Sequence, residues 1–152
     1  MKVMVGGTFD PLHGGHRKLL ERSFELAGEG GVVIIGLTTD RFASLKKHPV
    51  RRYVERREDL IHFIKKQAWK AEYRIEPLDN RYGEAAEADF DALVVSEETL
   101  PVAIEINRMR HEKGLKKVDI HQIACVLAED GRWISSTRIL KGEIDPEGRL
   151  IR

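Results

Sequence analysis

Cysteine is almost missing from this chain. Cys125 is the only one, which excludes an internal disulfide and any zinc site built on cysteines. It sits in the apolar run Ile123-Ala124-Cys125-Val126-Leu127 and reads as a buried, inert thiol rather than a nucleophile. No apolar stretch approaches the ~20 residues of a membrane span. The first residues enter a strand directly, without the charged stretch and apolar core of a secretory signal, so a cytoplasmic location with no membrane partner is expected. An excess of charge is missing as well: Lys+Arg number 26 against 25 Asp+Glu, a formal net charge of +1. A nucleic-acid partner normally calls for a clear basic surplus, and none is expected here. Amides are scarce, with only Asn80, Asn107, Gln67 and Gln122 in a chain that is 34% charged, a balance that leans toward heat-stable proteins. No repeat, low-complexity segment or linker interrupts the 152 residues, which suit one domain over 1–152 with a full-sized core. Nothing in the pattern specifies an oligomeric state.

What is present is an alternation of strand and helix signals. Val3 to Val5 predicts a short buried strand. Leu20, Phe24 and Ala27 recur at helical spacing over about 15–27, and Gly28, Gly30 and Gly31 stop that helix. Val32 to Leu37 is a continuous branched run, the mark of a strand covered on both faces. Thr38 to Arg52 is long, basic and read as irregular. A helix is expected over about 54–69, a strand over 73–78, a loop with a helical turn over 81–91 and a strand over 92–96. Thr99 as N-cap, Pro101 in the first turn and Gly114 at the end bound a helix. A fifth strand is expected over 118–127. Ser135 or Ser136 caps a last helix through Leu140, and Asp145-Pro146-Glu147-Gly148 signals a turn. This order predicts an α/β fold with a doubly wound, five-stranded parallel sheet. Ligands of such sheets bind beyond the carboxyl ends of the strands, where strand order reverses. The turns at Gly6, Thr38 and Ser96 all follow strands and should reach that edge.

The first of these turns carries the strongest chemical signal, Gly6-Gly7-Thr8-Phe9-Asp10-Pro11-Leu12-His13-Gly14-Gly15-His16. Glycines let backbone N–H groups approach a ligand. His13 and His16 lie three apart, on one face of a first helical turn, whose N–H groups and dipole attract anions. Gly14 and Gly15 leave space against the helix for a flat or bulky group. A second run, Ile134-Ser135-Ser136-Thr137-Arg138-Ile139, sets adjacent hydroxyls and an arginine fork at another helix start, a second phosphate grip. The basic residues Arg41, Lys46, Lys47, Arg51 and Arg52 form a loop able to close over phosphates. Both motifs are rich in donors and hold no base–nucleophile pair. His48, His62, His111 and His121 have no partner at metal-ligand spacing. Trp69 and Trp133 read as packing residues, with Trp133 close enough to the serine run to touch a base.

On these two runs the chain resembles the HxGH nucleotidyltransferases, which move a nucleoside monophosphate from a triphosphate to a phosphorylated acceptor and release pyrophosphate. A third stretch, Val94-Val95-Ser96-Glu97-Glu98-Thr99 followed by Glu105-Ile106-Asn107-Arg108-Met109-Arg110, is similar to phosphopantetheine adenylyltransferases of the archaeal and eukaryotic type. Bacterial enzymes of that activity lack the Ser-Glu-Glu-Thr stretch, so their acceptor residues do not carry over there. The resemblance covers nearly the whole chain and implies a Rossmann-like nucleotidyltransferase fold. It implies transfer of the adenylyl group of ATP to 4'-phosphopantetheine, giving dephospho-coenzyme A and pyrophosphate. Adenylyl transfer to nicotinate or nicotinamide mononucleotide is the alternative, and a nucleotide-sensing module without turnover is a second.

The resemblance also implies residue roles. His16, Thr8 and Lys46 would be catalytic. Gly7, Thr8, Phe9, His13, Gly15, His16, Ser135, Ser136, Thr137 and Arg138 would hold the nucleotide. Thr8, Lys46 or Lys47, Ser96, Asn107 and Arg108 would hold the acceptor. Mg²⁺ would arrive on the ATP phosphates, with no protein metal site. Asp10 is read as steadying its turn and not as a ligand.

Overall fold

The computed structural model describes residues 1–46 and 48–151. Ten elements follow in chain order: β1 (Lys2–Gly7), α1 (Gly14–Ala27), β2 (Val32–Thr38), α2 (Asp40–Ala43), α3 (Tyr53–Gln67), β3 (Glu72–Leu78), β4 (Ala92–Val95), α4 (Leu100–Glu112), β5 (Asp119–Gln122) and α5 (Ser136–Leu140). The strands form one sheet in the order β3-β2-β1-β4-β5, with every pairing parallel, so the α/β, doubly wound, five-stranded expectation holds. Among the described residues no helix is long and apolar enough to cross a membrane.

Side-chain alternation divides the core between the two faces of the sheet. Val3 and Val5 of β1, Val33, Ile35 and Leu37 of β2, and Val94 of β4 pack under Leu20 and Phe24 of α1 and Leu60 and Ile64 of α3. Leu93 and Val95 face the other way, with Met4 beside them, against Ala103 and Ile106 of α4 and Val118 and Phe90. Each fully buried side chain of this size contributes roughly 1.5–3 kcal/mol. A third, smaller cluster of Ala128, Ile134 and Ile144 is drawn together by the bridges Leu127–Trp133 and Ile144–Leu150. It fixes the start of α5.

The reversal of strand order falls between β1 and β4, and the ladder there is short. β1 stays paired with β2 through Gly7–Leu37 but pairs with β4 only at Val3–Ala92 and Met4–Leu93. Beyond that point the two strands part, which opens a crevice at their carboxyl ends.

Two sequence expectations change. The fifth strand ends at Gln122, not Leu127, because its partner β4 is only four residues long. Ile123 N–H takes the Val95 carbonyl at 2.8 Å, and the chain then turns away to wall the crevice. The 38–52 segment is not wholly irregular: Thr39 Oγ1 accepts the Phe42 N–H at 3.2 Å and caps the single turn α2.

Candidate active site

The crevice holds two adjoining cavities. The larger, about 420 Å³, is lined by His13, Gly15, His16, Ser135, Ser136 and Thr137, together with Thr8, Lys46, Ser96 and Cys125. The first motif ends at His16 and the second begins only at Ile134, and the two still meet in one cleft. The smaller, about 250 Å³, is walled mainly by apolar side chains, among them Met4, Leu78, Val95, Val102 and Ile106. Gly6, Gly7, Thr8, Lys46 and Thr99 line both. Lys46 is solvent-exposed and, among the described residues, makes no ion pair. Lys47 lies outside the described residues.

The start of α1 is capped by its own histidines. His13 Nδ1 accepts from the N–H groups of Gly15 at 3.0 Å and His16 at 3.4 Å, and His16 Nδ1 accepts from the His13 N–H at 3.4 Å. This is a capping box built from two imidazoles. An Nδ1 that accepts carries no proton, so the proton of a neutral ring sits on Nε2. The Gly14 N–H is also taken, by the Pro146 carbonyl at 3.1 Å. The helix therefore does not offer bare N–H groups to an anion, as the sequence suggested. Its positive end is passed through the imidazoles, which line the cleft.

The rings stack with centroids 3.8 Å apart, and His16 leans on the Phe9 ring at 5.1 Å. Burial first, then the charges of Arg17 and Lys46, push the His13 pKa down from 6.5 to about 4. Burial, followed by His13, pushes His16 well below its ordinary value, and the Pro11 carbonyl opposes this. Both rings are neutral donors near neutral pH.

The two glycines of the motif serve packing within the protein, not an open slot. A Cβ on Gly14 would meet Ile134 and Val126, each at 3.3 Å, and one on Gly15 would meet the His13 ring at 2.8 Å. Gly14 thus lets the serine segment approach α1, and Gly15 lets His13 fold back to cap it. Arg17 and Glu147 tie α1 to the 145–148 turn by an ion pair at 2.8 Å.

Several expected ligands prove to be otherwise engaged. Phe9 is fully buried and lines neither cavity. Ser135 Oγ accepts the Arg138 N–H at 3.2 Å. The Arg138 guanidinium is held by Asp130, by Glu143 at 2.9 Å and by the Trp133 carbonyl at 2.9 Å. It faces a neighbouring hollow shared with Glu98 and Trp133, not the cleft. The Asn107 amide both donates to and accepts from the Val118 backbone at 2.9 Å, tying α4 to β5. It lines neither cavity. Arg108 is exposed and lies 3.5 Å from Glu105, also away from both cavities. Of the basic loop, Arg41 pairs with Asp79 at 3.1 Å and Arg52 with Glu55 at 3.8 Å.

Asp10 does steady its turn. Its buried carboxylate accepts from Arg51 N and Nε, each at 2.8 Å, which binds the basic loop to the motif, while Arg51 also reaches Asp59 at 2.6 Å. Cys125 is half-buried on the cleft wall and not in the core, and burial raises its thiol pKa. Trp69 packs by stacking on Phe24 at 4.6 Å. Trp133 is 41% exposed on the rim of the neighbouring hollow.

Sequence reasoning missed the apolar cavity and what lies beneath Thr8. The cavity is built by parts far apart in the chain: β1, the 81–85 turn and α4. The floor under Thr8 is the buried Arg56, which looks like one more charge in a charged helix.

The cytidylyltransferase-like family model matches residues 4–142. A protein from Methanosarcina barkeri named phosphopantetheine adenylyltransferase is 52% identical over 98% of this chain and 92% of its own length. One of the same name from Archaeoglobus fulgidus is 41% identical over 99% of this chain and its entire length. A solved structure from Archaeoglobus fulgidus, described as a protein of unknown function, superimposes with a TM-score of 0.73 at 37% identity, covering 81% of this chain and 89% of that one. Motif, sheet order and near full-length similarity agree: the chain belongs to the cytidylyltransferase-like family, in the company of archaeal relatives named phosphopantetheine adenylyltransferase.

Proposed function

We propose that this protein transfers the adenylyl group of ATP to 4'-phosphopantetheine, forming dephospho-coenzyme A and releasing pyrophosphate. One observation supports this reading above the others: a donor-lined cleft and an apolar cavity meet at Thr8 and Lys46. The cleft suits a triphosphate. The apolar cavity suits the flexible arm of the acceptor, whose phosphate would then lie at the junction. A mononucleotide acceptor has a compact, polar body with less use for walls of Met4, Val102 and Ile106.

The acceptor phosphate attacks the α-phosphorus of ATP, and the bond to the leaving pyrophosphate breaks. A phosphomonoester with a second pKa near ~6 is largely ionised at neutral pH, so no general base is required. Rate enhancement comes from positioning and charge stabilisation. His16 donates from Nε2 to the α-phosphate oxygens as negative charge grows there, and His13 holds the adjoining phosphates. Thr8 orients the acceptor phosphate from the tip of β1. Lys46 bridges acceptor and α-phosphate with the cleft's one unpaired cation among the described residues. Ser135, Ser136 and Thr137 hold the β- and γ-phosphates, with Arg138 bracing their turn from behind.

Among the described residues no group of three or more His, Cys, Asp or Glu side chains could hold a metal ion, and Asp10 is occupied by Arg51. Mg²⁺ would arrive on the ATP phosphates, as the family resemblance implies, and would neutralise part of their charge. The test is an acceptor panel. Purified protein with ATP and Mg²⁺ is given 4'-phosphopantetheine, nicotinate mononucleotide or nicotinamide mononucleotide, and pyrophosphate is measured. Release with 4'-phosphopantetheine is expected. Release only with a mononucleotide overturns the assignment, and tight ATP binding with no product from any acceptor replaces it with a nucleotide-binding module.

A further inference from the structure

Arg56 is the most deeply buried charge in the molecule, with no exposure at all. It rises from α3 beneath the tips of β1 and β2. Its Nε donates to the Arg51 carbonyl at 2.7 Å, and its Nη2 to the Asp40 carboxylate at 3.2 Å. Its Nη1 donates to the Thr8 carbonyl at 3.2 Å and to Thr38 Oγ1 at 3.0 Å. Thr38 Oγ1 in turn donates to Thr8 Oγ1 at 3.1 Å, both residues being buried and both in the wall of the apolar cavity.

A guanidinium has donors only, and a threonine hydroxyl has one proton. Arg56 therefore holds Thr38 Oγ1 as an acceptor, and the Thr38 proton is given to Thr8 Oγ1. Thr8 Oγ1, having accepted from Thr38, has its own proton to give, and Thr8 opens onto both cavities. As the geometry sets them, the bonds run in one sense from Arg56 through Thr38 to Thr8, and successive bonds of one sense polarise each other in a buried setting.

We propose that Arg56 and Thr38 are positioning residues that fix the Thr8 hydroxyl as a donor toward the crevice, set to receive an anionic oxygen of the acceptor. This rests on the reading of Thr8 as the residue that orients the acceptor phosphate. A buried cation kept only for stability would affect unfolding. One kept for this purpose separates the two substrates, because Thr8 lies on the acceptor side of the reaction.

Arg56 itself is a poor site for a test, since its removal leaves buried carbonyls unpaired and endangers folding. Thr38 is better. Thr38→Val and Thr38→Ala both lack the hydroxyl, Thr38→Ser keeps it, and Thr8→Ala supplies the background. Steady-state rates are measured with ATP and 4'-phosphopantetheine varied separately. Thr38→Val and Thr38→Ala should each lower kcat/KM for the acceptor about tenfold, the scale of one hydrogen bond, with KM for ATP within about twofold. Thr38→Ser should stay within about twofold of the parent. In the Thr8→Ala background, Thr38→Val should add nothing, since both changes act through one hydroxyl.

Parent-like acceptor kinetics in Thr38→Val, an equal loss in Thr38→Ser, or a full additional loss on top of Thr8→Ala would each overturn the proposal. Parent-like kinetics in Thr8→Ala would remove the underlying assignment of Thr8 instead. An impaired Thr8→Ala beside an unimpaired Thr38→Val would remove the relay alone.

Discussion

Acidification from about pH 7 to about pH 4 should destabilise this protein through His13. Folding buries the ring beside Arg17 and Lys46, and its pKa falls from 6.5 to about 4. Above the upper value the ring is neutral whether the chain is folded or not, so it adds no pH dependence. Between the two values the unfolded chain holds a proton that the folded chain refuses. Stability then falls as pH falls, by ~1.4 kcal/mol per pH unit at the steepest. The accumulated loss is about 2 kcal/mol near pH 5 and about 3 kcal/mol near pH 4, a large part of the roughly 5–15 kcal/mol that holds a domain together. His16 is shifted in the same direction and adds to the fall. The assay is urea unfolding across this range for the parent and for His13→Asn. Asparagine is a good N-cap but does not titrate, so the variant keeps the helix start and loses the His13 share. The parent's stability should drop toward acid more steeply than the variant's, with the difference between the two curves changing by about 3 kcal/mol over the window. Parallel curves would refute the claim that His13 is held neutral.

Three further outcomes follow from the site. His16→Ala should lower kcat by about 10²–10³, the usual effect of losing one preorganised donor, with KM for ATP much less affected; near-normal turnover in the folded variant would end the role given to His16. Asp10→Ala should release Arg51 from two 2.8 Å bonds, at about 1.5–3 kcal/mol for hydrogen bonds to a charged group. It should also raise KM for both substrates by loosening the loop that carries Lys46, so an unchanged melting temperature would count against the latch. Asn107→Leu should cost about 1–3 kcal/mol in thermal unfolding, because the Val118 N–H and carbonyl lose their partner. The KM for the acceptor should stay put, and a large rise would return Asn107 to the acceptor site.

The sheet was legible because its signals are local. Val32 to Leu37 is branched without a break, as a strand covered on both faces must be, and Leu20, Phe24 and Ala27 repeat at helical spacing. The length of β5 was not, because a strand ends where its neighbour ends, and the apolar run to Leu127 carries no trace of β4's four residues. Within the site, residue types could be read but not their engagements. Arg138 looked like a phosphate fork, yet Asp130 and Glu143 hold it. Asn107 looked like an acceptor ligand, yet the Val118 backbone takes its amide. A hydrogen-bonding group in sequence has unassigned capacity, and only the fold decides which partner takes it. Arg56 is the sharpest case: its helix is charged throughout, and burial alone distinguishes it from Arg57, which is exposed.

The cleft separates two tasks that a triphosphate site could have combined. Two protonated imidazoles stacked at 3.8 Å would repel each other, and burial has already lowered the pKa of both. Neutral Nε2–H donors avoid that repulsion and still deliver the positive end of α1, because the N–H groups of Gly15 and His16 point at His13 Nδ1. In the proposed reaction such donors would be fixed before the substrate arrives and would need no reorganisation as charge moves in the transition state. Formal positive charge is placed elsewhere, on exposed Lys46 at the junction of the cavities. Oriented donors therefore lie on the β1–α1 turn and formal charge on the basic segment, the two joined through Asp10 and Arg51. Under the proposed function, this division lets a reaction among polyanions be served by a chain whose net charge is only +1, with oriented dipoles in place of an excess of cations.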